Sequence, residues 1–197
     1  MASRGNSKAK NEIIEMLMED HKRAKRAFRE GEKLTEQEDT EALEELVQQT
    51  CAELQVHATL EEELFYPAIR EAIKETDLLD EAEVEHASAK DLIAQLEAMT
   101  GEDAKFAATF KVLGEYVKHH IKEEEGELFE QLERARVQWE PLLQEIQERR
   151  EQLMQEHGLV EIEEEAADEA EGSRSRSGAK SGRGRRSEET PEEETAE

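Results

Sequence analysis

The sequence of 197 residues carries a formal net charge of −26, with 36% hydrophobic, 4% aromatic and 40% charged residues. That length holds one domain with tails, and its acidic field repels phosphate backbones, which argues against nucleic acid as a partner. No stretch approaches the run of about 20 apolar residues that crosses a bilayer, and MASRGNSKAK has no apolar leader segment, so a cytoplasmic protein without a membrane partner is expected.

Residues 1–10 read as a flexible N-terminus. From Ile13 to Phe28, the residues Ile13, Leu17, His21, Ala24 and Phe28 recur at helical spacing, so a first amphipathic helix carries His21 on its apolar face. Gly31 reads as a break, and Thr35 with Glu38 as a capping box that opens a second helix with Leu43, Val47, Leu54, His57 and Glu61 on one stripe. Pro67 is expected to end or kink it. Asp80 and Glu83 resemble an N-cap ahead of His86, Ile93 and Leu96, and Gly101 closes this third helix. Thr100 and Asp103 then introduce a fourth, with Phe106, Phe110, Leu113, Val117, His120, Glu124 and Leu128.

Short connections join adjacent antiparallel neighbours, so residues 11–134 are expected to form an all-α, up-down-up-down antiparallel four-helix bundle. Pro141 fits the first turn of an additional C-terminal helix within 135–160, striped by Leu142, Leu143, Ile146 and Leu153. Residues 161–197 run acidic, basic across 174–186, then acidic again, with almost nothing apolar to bury. They read as a disordered charged tail.

Helices one and two repeat in helices three and four. His21 matches His86, and HATLEEELFYP (57–67) matches HIKEEEGELFE (120–130). In each HxxxE the histidine and glutamate stand one turn apart on one face, so His57 with Glu61 and His120 with Glu124 converge. One cysteine, Cys51, offers no thiolate cage, so any metal takes nitrogen and oxygen. Imidazole with carboxylate suits iron, and manganese or zinc less well, while a carboxylate can bridge two ions with its two oxygens. A lone core histidine is ordinarily structural. Four histidines, one per helix, two of them followed by Glu, would burden a metal-free core with six buried polar groups. His119 and Glu123 also make HxxxE, but the repeat chooses His120, because Tyr66 and Phe129 then both fall nine residues after their histidine.

DHKRAKRAF around His21, HATLEEELFYP, EHASAKDL around His86 and HHIKEEEGELFE resemble the hemerythrin HHE cation-binding domain over 11–134. The resemblance implies two non-haem iron ions with an oxo or hydroxo bridge, bridged by Glu61 and Glu124, with His21, His57, His86 and His120 as terminal ligands. Dioxygen, hydrogen peroxide or nitric oxide is the implied small-molecule ligand, with a stress or sensing role and catalase- or peroxidase-like turnover left open. The alternative is a non-catalytic iron-sensing or regulatory module whose fold depends on metal. Two positions depart from the oxygen carriers: Ala82 stands where they have a fifth histidine, and Glu124 stands one residue before their last carboxylate. Both irons would then keep an exchangeable position that Glu62 or Glu83 could fill, which favours turnover over storage. A monomer or weak dimer is expected.

Overall fold

Apolar residues at helical spacing need a second helical face to cover them, and the computed structural model, which describes residues 2–159, has only helices as regular elements. The expected tail and its basic stretch lie outside the described residues.

Helix α1 spans Ala2–Glu36, so residues 2–10, expected as part of a flexible N-terminus, are helical. Packing explains the early start. Ala9 is buried, the Asn6 side-chain oxygen accepts the Trp139 N–H at 2.6 Å, and its amide donates to the Val137 carbonyl at 3.0 Å. Gly31 lies inside α1 and does not break it. Its missing side chain makes room for Phe110, whose ring would stand 2.5 Å from an added Cβ. Thr35 donates back to the Gly31 carbonyl at 2.8 Å, and Asp39, rather than Thr35, caps the next helix by accepting the Ala42 N–H at 3.2 Å.

Helix α2, Thr40–Leu60, runs without interruption into a π-helical segment, Glu61–Phe65, and then into α3, Tyr66–Arg70. Pro67 does not stop the chain. It sits in the first turn of α3, where a proline is tolerated. Helix α4 covers Asp77–Glu97 and opens before the expected cap. Asp80 and Glu83 instead hold the Arg70 guanidinium, each at 2.6 Å. In the following turn Asp103 accepts from both the N–H and the hydroxyl of Thr100, at 2.8 and 3.1 Å. Helix α5, Phe106–Glu123, continues through a second π-helical segment, Glu124–Leu128, into α6, Phe129–Gln131. Helix α7, Trp139–Glu156, has Pro141 in its first turn and packs on α1, α2 and the first π-helical segment. No described helix is long and apolar enough to cross a membrane.

The buried apolar residues form two clusters. One gathers Ile13 and Leu17 of α1, Leu60, Phe65, Tyr66, Ile69, Leu79 and Leu128 with Trp139, Leu142, Ile146 and Leu153 of α7. The other gathers Phe28, Leu43, Val47, Cys51, Ile93, Leu96, Phe106, Phe110, Leu113 and Val117. Each such side chain removed from water contributes about 1.5–3 kcal/mol before entropy is subtracted. In α1, α2, α4 and α5 the histidine falls in sequence near the change from one cluster to the other, so two oily layers enclose a polar one.

Candidate metal centre

His21, His57, Glu61, His86, His120 and Glu124 are all buried, and Glu61 is fully so. The four imidazoles pair by halves. His21 Nε2 lies 3.2 Å from His57 Nε2, and His86 Nε2 lies 3.2 Å from His120 Nε2. Each carboxylate approaches one histidine of each half: Glu61 Oε2 is 3.3 Å from His57 Nε2 and 3.4 Å from His86 Nε2. Glu124 Oε2 is 3.1 Å from His21 Nε2 and 3.9 Å from His120 Nε2. Ligand atoms of His21, His57, Glu61 and Glu124 lie within 4.8 Å of one another, and so do those of Glu61, His86 and His120. Glu61 is common to both groups.

Every one of the four rings also has an outer carboxylate on its Nδ1: Glu125 at 2.9 Å from His21, Asp20 at 3.3 Å from His57, Glu62 at 3.1 Å from His86 and Glu85 at 3.0 Å from His120. A carboxylate accepts the Nδ1 proton and leaves the Nε2 lone pair pointing inward. Two such lone pairs 3.2 Å apart repel in a buried site, whereas two nitrogens each about 2.1 Å from one ion stand about that far apart. Glu61 Oε1 and Glu124 Oε2 are buried without a hydrogen-bond partner. Orphaned oxygens and converging nitrogens fit a cation, and the N/O set fits a first-row metal.

The electrostatics of the metal-free site agree. Burial pushes the His57 imidazolium down to about 4 against the pull of Asp20, and burial likewise lowers His86. Burial opposes charge on His120, yet Glu85 and Glu124 raise it. Burial and the neighbouring Glu124 carboxylate hold Glu61 protonated well above the usual carboxylate range, while His21 and His120 keep Glu124 ionised despite its burial. Tyr66 places its hydroxyl 3.3 Å from both Glu61 Oε2 and Glu124 Oε1, and burial pushes its pKa well above that of a free phenol, keeping it protonated.

The sequence matches the hemerythrin HHE cation binding domain over residues 12–132. The chain belongs to this family. A DNA nickase of Nostoc sp. is 28% identical over 127 residues, which is 64% of this chain and 35% of that protein; the chain thus spans about a third of that relative's length. No solved structure matches.

Three further residues singled out in the sequence of this hemerythrin-family chain lie outside the inner groups. Glu62 pairs with His86 Nδ1 and Lys90, and Glu83 with Arg70. His119 is exposed and lies beside Glu85 and Glu123. Asp20, Glu85 and Glu125, the outer carboxylates besides Glu62, escape sequence reasoning because an acidic residue beside a helical histidine resembles a solvated face. A signal was present: both halves read acid-His-x-x-x-Lys and His-x-x-x-Glu-Glu, and the lysines Lys25 and Lys90 pair with Glu125 and Glu62.

A cleft of about 690 Å³, counting its open mouth, leads to the four histidines. Ala24, Leu54, Ala89, Ile93 and Val117 line it, with the partly exposed Arg23, Lys90 and Tyr116. Arg23 is paired with Asp20 and Glu53, and Lys90 with Glu62, so little free charge faces the passage. Cys51 is no rival nucleophile, because burial pushes its thiol up to about 12.

Proposed function

We propose that the chain is a non-haem di-iron protein that binds or reacts with dioxygen, hydrogen peroxide or nitric oxide in a redox, stress or sensing role. The carrying observation is the convergence of four Nε2 atoms and two shared carboxylates, with an outer carboxylate on every ring. His21 and His57 would hold one iron, His86 and His120 the other, and Glu61 and Glu124 would span them. The order in which α1, α2, α4 and α5 pass between the two apolar clusters supports the up-down-up-down arrangement.

Iron so bound supplies electrons and an exchangeable coordination position. The chain does the rest. The outer carboxylates fix ring orientation and tautomer, which raises ligand basicity. The apolar cleft wall admits a small guest and excludes bulk water. Tyr66, kept protonated by burial, donates toward the carboxylates and steadies them. About two irons per chain in aerobically purified protein, with visible charge-transfer bands that change on adding peroxide or nitric oxide, is the expected result. Zinc, or no metal in a folded chain, overturns it.

A regulatory module is the second reading. Helix α7 favours it, since Arg150 holds Asp20 at 2.8 Å through each of two nitrogens and Asp20 holds His57, a direct line from the C-terminal helix to the site. Metal-dependent thermal stability without peroxide turnover supports this reading over the first. DNA nicking, named for the Nostoc relative, is tested by conversion of supercoiled plasmid to open circle by the metal-loaded chain; the net charge of −26 opposes it.

A further inference from the structure

The two halves of the centre are sealed differently. Four residues before His21 stands Leu17, and before His57 and Glu61 stand Val56 and Leu60; all three are buried apolar residues. The matching places in the second half are Ala82, His119 and Glu123. Where the first half has three bulky apolar residues, the second has one small alanine and two side chains whose chemistry suits a metal. We propose that Glu85, His119 and Glu123 form an exposed docking site for a divalent first-row cation, which passes from there past the small Ala82 to the buried centre.

His119 Nε2 lies 3.1 Å from Glu123 Oε1 and 3.6 Å from Glu85 Oε1, and candidate ligand atoms of the three residues fall within 4.8 Å of one another. One imidazole and two carboxylates suit the same metals as the centre. The His119 side chain is 60% exposed, so the cluster is open to solvent. A second observation connects it inward. A separate pocket of about 250 Å³, counting its mouth, is lined by Ala82, Glu85 and Glu123 together with His120 and Glu124. Glu124, whose side chain is 1% exposed, lines this pocket and has an oxygen without a hydrogen-bond partner. Glu85 joins the two sites, with Oε1 toward His119 and Oε2 on His120 Nδ1 at 3.0 Å. Among the described residues no lysine or arginine lines this passage, whereas Arg23 and Lys90 line the larger cleft. The chemistry divides the traffic: an acidic route for the cation and an apolar one for the guest.

This route rests on the proposed centre. Its test uses the metal-stripped full chain and cobalt(II) at limiting concentration, followed by visible absorption in a stopped-flow cell. The double variant His119→Ala with Glu123→Gln leaves every proposed ligand of the centre and every outer carboxylate in place. Uptake about tenfold slower than in the natural chain, at an unchanged final absorbance, is expected, in line with the lower end of local charge focusing. Ala82→Leu, which copies Leu17, should slow uptake without removing any ligand; its thermal unfolding midpoint controls for folding. Equal rates in the natural chain and the double variant overturn the route while leaving the centre standing. A reduced endpoint in the double variant also overturns it, because the cluster would then belong to the final site. No uptake by any chain overturns the centre and the route with it.

Discussion

The half of the site built from α1 and α2 and the half built from α4 and α5 share a plan down to their outer carboxylates, yet they meet different surroundings. Asp20 and Glu85 occupy matching places, each beside one histidine and hydrogen-bonded to the next helix's histidine. Asp20 is additionally gripped by Arg23 and by Arg150 of α7, and its side chain is 9% exposed. Glu85 is 18% exposed and faces His119. Likewise Tyr66 reaches both carboxylates, while its counterpart Phe129 carries no hydroxyl and stacks 6.2 Å from His21. The repeat is kept where ligand orientation demands it and abandoned where one half is roofed and the other faces solvent.

The largest effect expected is loss of the shared carboxylate. Glu61→Gln closely resembles the protonated acid that burial already favours, so the metal-free fold should unfold at nearly the natural temperature. Iron content should nevertheless fall from about two per chain to below about one, as measured by elemental analysis. Full iron retention would remove Glu61 from the ligand set.

Next come the outer carboxylates, whose loss typically weakens metal binding about 10- to 100-fold. Asp20→Ala should fall at the severe end of that range and Glu85→Ala at the mild end, in competition with a chelator. Equal losses would mean that the Arg150 grip adds nothing. Arg150→Met removes that grip, and a smaller loss, roughly threefold, is expected, because Asp20 keeps Arg23 and His57. The smallest effect belongs to Arg149, the neighbour that reaches Glu63 across the outer surface at 2.8 Å. Since Glu63 is about half exposed, Arg149→Ala should leave the denaturant-unfolding midpoint indistinguishable from that of the natural chain.

The six inner side chains were legible because HxxxE occurs twice and each copy is preceded by a further histidine on an apolar stripe. Helical periodicity likewise marked α5 and α7, where Phe106, Phe110 and Leu113, and Leu142 and Ile146, line one face each. Helix ends were less legible. Gly31 and the Thr35 pair resemble a stop and a start, but long-range packing against Phe110 keeps the helix going to Glu36. Asn6 shows the same limit: the contact that orders the N-terminal turns lies more than 130 residues away, at Val137 and Trp139. The π-helical segments had no readable signature. One is followed by Pro67 and the other contains Gly126, so two different local sequences arrive at the same widened turn.

Those widened turns set the phase of everything after them. In each, the closing N–H reaches back five residues, from Tyr66 to Glu61 and from Phe129 to Glu124, so the loop of backbone holds one residue more than an α-turn. Rewinding 61–65 as ordinary α-helix with no residue removed would swing each later side chain by about 100° around the axis. Tyr66 would then turn off the carboxylates, and Ile69 would rotate out of the oily layer it fills. Each widened turn therefore absorbs one residue beyond an α-turn, and its winding, as much as the ligands, keeps Tyr66 and Ile69 facing inward.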